Sequence, residues 1–129
     1  MTVYISGPIT GKRNGNRKAF EKAQEKLEKE FGYEEGKFRI ISPVKIGETV
    51  NQNFEDTRLW LGKAIKPQWE DYMKACIKRL MDATHVFFLK GWDKSRGAVL
   101  ERKIAEGLNI PCAETIEELK NSKGVDTWK

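Results

Sequence analysis

Cysteine, long apolar runs and the familiar phosphate-binding signatures are scarce or missing in this chain. Only two cysteines occur in 129 residues, Cys76 and Cys112. Neither has a Cys or His partner at metal-ligand spacing, so both read as reduced thiols and no metal site is expected. No apolar run approaches the length needed to cross a bilayer. The start, Met1-Thr2-Val3-Tyr4-Ile5-Ser6, goes straight into a strand-like segment. It lacks the basic, apolar and small-residue zones of a secretory signal. Together these absences lead us to expect a cytoplasmic protein. There is neither a Walker loop nor a G-x-G-x-x-G, so nothing points to ATP hydrolysis or dinucleotide binding. Internal repeats and low-complexity tracts are also absent.

What is present fits one globular domain. Apolar residues make up 39% and charged residues 33%, a balance that suits a solvated surface around a real core. The net charge of +5 would suit a phosphorylated ligand. The charges interleave, however, as in Lys22-Ala23-Gln24-Glu25-Lys26-Leu27-Glu28, which is the pattern of a solvated helix face. Nucleic acid is therefore not the expected partner.

Strand and helix signals alternate. Val3 to Ser6 reads as a strand stopped by Gly7-Pro8, and a glycine-rich loop runs to Gly15. Phe20, Ala23, Leu27 and Phe31 recur at helical spacing from about Asn16, and Gly32 ends the helix. Phe38 to Ser42 reads as a second strand closed by Pro43. Residues 44 to 68 show no clear periodicity and read as a lid or binding loop. Trp69 to Asp82 is a second helix. His85 to Leu89 is a continuous apolar strand, as expected when both faces of a sheet are covered. A helix runs from about Ala98 to Glu106, and Asn109 to Cys112 is a short edge strand. Thr115 and Glu118 form a capping-box pattern that opens a last helix, with a frayed tail from Asn121. This alternation predicts an α/β sandwich around a parallel sheet. Ligands of such sheets bind beyond the carboxyl ends of the strands.

Two loops lie at such ends. Ser6-Gly7-Pro8-Ile9-Thr10-Gly11-Lys12 can bring backbone N–H groups close to an anion, or it can be an ordinary strand-to-helix turn. In Gly91-Trp92-Asp93-Lys94-Ser95-Arg96-Gly97-Ala98, a hydroxyl and a guanidinium meet a helix N-terminus. Ser95 can equally be only the N-cap, and Arg96 only a surface charge. Glu101 follows about one turn later, where the positive helix end favours its ionised form. Such a carboxylate can attack an anomeric carbon, or it can simply serve helix electrostatics. Trp60, Trp69 and Trp92 can stack on a base or pack. His85 reads as structural. Tyr4 is either core or a ligand contact.

These residues resemble a known family. Tyr4-Ile5-Ser6-Gly7-Pro8-Ile9-Thr10-Gly11, Asn16 and Phe20 resemble the opening of the nucleoside 2-deoxyribosyltransferase-like superfamily. Phe87-Phe88-Leu89-Lys90-Gly91-Trp92-x-x-Ser95-Arg96-Gly97-Ala98-x-x-Glu101 resembles its second signature. The nearest branch is the group known as DUF4406. The resemblance implies a flavodoxin-like, doubly wound three-layer sandwich with a five-stranded parallel sheet. It implies cleavage of the N-glycosidic bond of a nucleoside or nucleotide, by hydrolysis or by deoxyribosyl transfer, with no metal or organic cofactor. It implies Glu101 as nucleophile with Tyr4 beside it in the catalytic site. Ser6, Gly7, Ile9, Thr10 and Gly11, together with Trp92, Ser95, Arg96 and Gly97, would contact substrate, with Ser95 at a 5′-phosphate. It also implies a homodimer or larger homo-oligomer. Two positions depart from the pattern. Cys76 stands at or near the site of an acid/base aspartate, and Thr10 stands where nucleotide-cleaving relatives use an arginine. The alternative reading is a non-catalytic nucleotide-binding protein of the same fold.

Overall fold

Alternation along the first strand sorts the whole core into two halves. We describe a computed structural model over residues 1–32, 36–63 and 65–122. In β1 (Thr2–Ser6), Val3 and Ile5 point to one face and Tyr4 points to the other. The first face packs against α1 (Arg17–Phe31) through Phe20, Ala23, Leu27 and Phe31, and against α5 (Ile116–Ser122) through Leu119. The second face packs against α3 (Trp69–Leu80) through Cys76 and Leu80, and against α4 (Arg96–Gly107) through Ala105. β3 (His85–Phe88) is buried at every position, as its unbroken apolar run requires.

The sheet is parallel throughout, in the order β2-β1-β3-β4, with β2 at Arg39–Ile41 and β4 at Cys112–Ala113. Among the described residues it has four strands, where the resemblance implies five. The chain steps outward from β1 to β2, then crosses back to lay β3 on β1's other side. The reversal in strand order therefore falls between β1 and β3, and the crevice of such a sheet opens at their carboxyl ends.

Residues 43 to 61 correct the expectation of an irregular lid. They form α2 (Pro43–Leu61), a 19-residue helix. Ser42 caps it, accepting from Val44 N–H at 3.3 Å, and Pro43 occupies the first turn, where its missing N–H costs nothing. Gly62, at φ +66°, ends it. Its inward stripe is thin: Gly47, Val50, Phe54 and Arg58 recur at helical spacing between polar neighbours. Beyond the first turn, where Val44 and Ile46 both pack on the core, at most one large apolar residue per turn faces inward, so the periodicity is muted. The Tyr72 hydroxyl of α3 donates to Asn51 Oδ1, tying the two helices together.

Smaller corrections concern element ends. β4 begins at Cys112 rather than Asn109, because Asn109 (φ +57°) and Ile110, whose N–H returns to Ala105 O at 2.8 Å, still belong to the close of α4. α4 starts at Arg96, two residues before the expected Ala98, because Ser95 caps it. At α5, Thr115 Oγ1 accepts from Glu118 N–H at 3.1 Å, as its capping-box pattern predicts. The Glu118 carboxylate reaches one residue further back, to Glu114 N–H at 2.7 Å. Asn121 and Ser122 belong to α5, and the rest of the expected frayed tail lies outside the described residues. No helix among the described residues is long and apolar enough to cross a membrane.

The ends of β1 and β3 fit together closely. A Cβ added at Gly7 would lie 2.8 Å from Leu89 Cβ, and one at Gly91 (φ +88°) would lie 3.6 Å from Pro8 Cγ. The two loops that leave these strands therefore run side by side. Leu89 Cβ cannot rotate away, so Gly7→Ala should lower the unfolding free energy by about 1–3 kcal/mol, measured by urea denaturation. An unchanged midpoint would mean that the two strand ends are not in contact.

Candidate functional site

The site is built from the second face of β1. Tyr4 and Ser6 share that face by strand alternation, and both are fully buried. Across from them, α4 turns Ala98, Glu101 and Ala105 inward. The two alanines leave room for one longer side chain between them, and that side chain is Glu101. The Tyr4 hydroxyl donates to Glu101 Oε2, and the Ser6 hydroxyl donates to Oε1 at 2.8 Å. Residues 95 and more positions apart in sequence thus meet at one carboxyl group.

Its electrostatics reverse one expectation. Glu101 is only 5% exposed. Burial pushes its carboxyl up to about 7, and the hydrogen bonds from Tyr4 and Ser6 offset only part of that rise. Proximity to the helix N-terminus predicts an ionised group. Its partial charge, however, fades within the first turn, and Glu101 lies beyond that turn on the dry side. Burial, and then the Glu101 charge, push the Tyr4 hydroxyl well above its ordinary value, so Tyr4 remains a donor at neutral pH. The Cys76 thiol lies beside the Tyr4 hydroxyl, and burial pushes it up to about 11. It is therefore a neutral thiol, and the cluster of Tyr4, Ser6, Cys76 and Glu101 contains a single carboxyl group.

The remaining candidate residues divide between the cluster, its frame and the surface. Gly7 and Pro8 are buried, whereas Ile9, Thr10 and Gly11 form the exposed rim of the first loop. Asn16 Nδ2 donates to Pro8 O at 3.0 Å and pins that loop to the start of α1. Gly97 faces α3 so closely that an added Cβ would lie 3.0 Å from Met73 Sδ. Ser95 caps α4, with its hydroxyl accepting from Ala98 N–H at 3.3 Å. The Trp92 ring packs on Phe88 with centroids 5.2 Å apart, Arg102 lies over it at 4.4 Å, and its N–H donates to Glu114 at 2.9 Å. Arg96 turns away from Glu101 and lies 3.8 Å over the ring of Trp69. Trp60 is exposed near the end of α2. His85 contacts Thr84 Oγ1 at 2.8 Å on the α1 side of the sheet, and burial lowers its pKa, which fits a structural histidine.

Sequence reasoning missed the direct contacts of Ser6 with Glu101 and of Cys76 with Tyr4. The signal for Ser6 was its even spacing from Tyr4 along β1. For Cys76 the sequence pattern shows only the carboxylate it lacks. Among the described residues no group of three or more His, Cys, Asp or Glu is placed to hold a metal ion.

The chain belongs to the family described as Domain of unknown function (DUF4406), whose model matches residues 1–113. No curated protein and no solved structure matches it.

The raised carboxyl pKa carries a sign for stability. Between the ordinary 4.5 and about 7, the unfolded chain has lost the Glu101 proton while the folded chain keeps it. Stability therefore falls as pH rises through that window and levels off above it, by about 3 kcal/mol in all. Glu101→Gln can still accept from Tyr4 and lacks the titration. We expect the difference in unfolding free energy between variant and wild type to grow by that amount from pH 4.5 to 8, read from urea curves. A constant difference would place the carboxyl in water.

Proposed function

We propose that this protein cleaves the N-glycosidic bond of a nucleoside or nucleoside 5′-monophosphate, acting as a hydrolase or deoxyribosyltransferase with Glu101 as nucleophile. One observation carries the reading: a lone carboxyl group poised near neutrality, held by Tyr4 and Ser6 beneath the carboxyl ends of β1 and β3. That is where ligands of a sheet with this strand order bind.

In the reading, the sugar sits between the first loop and the start of α4. Tyr4 and Ser6 fix both carboxylate oxygens so that one is aimed at C1′. A bond forms between that oxygen and C1′ as the C1′–N bond breaks. The base leaves with the electron pair and takes a proton from water. Water or a second base then displaces Glu101 from C1′, restoring the carboxylate. The nucleophile must be ionised, and a pKa near 7 leaves a substantial ionised fraction at neutral pH. Because Glu101 is buried, the side chains that cover it must part to admit the sugar.

The same reading takes the DUF4406 family as a branch of the nucleoside 2-deoxyribosyltransferase-like superfamily. It takes the four strands as part of a five-stranded, flavodoxin-like plan, whose first four strands follow the order seen here. It places the protein in the cytoplasm as a homodimer or larger assembly that needs no metal or organic cofactor.

A second reading, a nucleotide-binding protein without turnover, is favoured by Cys76. A neutral thiol beside Tyr4 cannot supply the acid/base carboxylate that the resemblance places there.

Incubation with a panel of nucleosides and 5′-monophosphates, assayed for free base, separates the two. The enzyme reading predicts base release, with kcat/KM rising with pH around a midpoint of about 7. Glu101→Gln should lower turnover by about a thousandfold or more. Nucleotide-dependent thermal stabilisation with no free base would instead establish the second reading.

A further inference from the structure

The face of α4 opposite Glu101 borders an open groove of about 640 Å³ between α4, the Trp92–Lys94 turn and the first residue of α3. Ala98, Glu101 and Ala105 define the buried side of the helix. Arg96, Val99, Leu100 and Lys103 lie half a turn away around it and line the groove. The groove and the Glu101 cluster are thus separated by the body of the helix.

Its lining is amphipathic and cationic. Lys94, Arg96 and Lys103 face it, against one acid, Asp93. Among the described residues none of the three cations is in an ion pair. Arg96 lies flat on Trp69, and its side chain is exposed. A guanidinium stacked on an indole presents its second face to solvent. That face is a platform on which a planar, electron-rich ring can stack. Val99 and Leu100 supply an apolar floor, and the two lysines stand where an anionic group would find them.

We propose that this groove binds a nucleoside monophosphate at a site separate from Glu101, with the base stacked on Arg96 over Trp69 and the phosphate held by Lys94 and Lys103. The assignment does not depend on the glycosidic-bond reading. It takes Arg96 away from the Glu101 site, where the motif alone would put it.

Calorimetric titration of the full chain with adenosine 5′-monophosphate tests it. Wild type and Glu101→Gln should bind at this site with equal affinity. Arg96→Ser and Lys103→Glu, both at exposed positions, should each weaken binding by about tenfold, and added salt should weaken it in wild type. Inorganic phosphate alone should bind more weakly than the nucleotide, because it cannot stack. Absence of saturable binding overturns the proposal. So does an isotherm in which every binding event survives both Arg96→Ser and Lys103→Glu, and an isotherm whose only binding event is lost in Glu101→Gln alone puts the nucleotide at the Glu101 site and overturns the proposal too. Affinity that grows with oligonucleotide length would make the groove part of a nucleic-acid track and would also overturn it.

Discussion

One buried carboxyl group ties the two halves of the chain together. Glu101 leaves α4 and ends on two hydroxyls of β1, so the helix after the third strand is keyed to the first strand. Bringing an ionised carboxylate into this environment is costly, and two donors only partly compensate. The outcome is a group that sits near the balance between its two protonation states at neutral pH. The fold supplies what this requires: strand alternation that puts Tyr4 and Ser6 on one face, alanines on either side of Glu101, and a dry neighbour in Cys76.

Cys76 makes the cause of the shift simple. Where two carboxylates share a site, mutual repulsion raises one of them. Here the neighbour is a neutral thiol, so burial alone lifts Glu101. The cluster can hold a proton without a second acid to exchange it with.

Much of this was legible in the sequence. The odd and even positions of β1, the unbroken apolar run of β3 and the helical stripe of α1 each carry a strong period, and each element formed where that period predicted. The place of Glu101 just past the first turn of α4 could be read from the loop before it. Three things could not be read. α2 has an inward stripe that includes a glycine and an arginine, so hydrophobicity hides its period. Burial of Glu101 depends on α3 closing over α4, a contact between distant segments that helix-end electrostatics does not anticipate. Arg96 sits in the same motif as Glu101, but the 3.6-residue period sends the two to opposite sides of one helix. Neighbours in a motif need not share a site.

The most direct measurement is the titration of the Glu101 side-chain carboxyl itself, followed by carbon NMR on selectively labelled protein. Assignment would come from the signal that Glu101→Gln removes. The buried cluster predicts a midpoint near 7, well above the ordinary 4.5. A wild-type midpoint already at 4.5 would mean a solvated carboxylate and would contradict the cluster on which the functional reading rests.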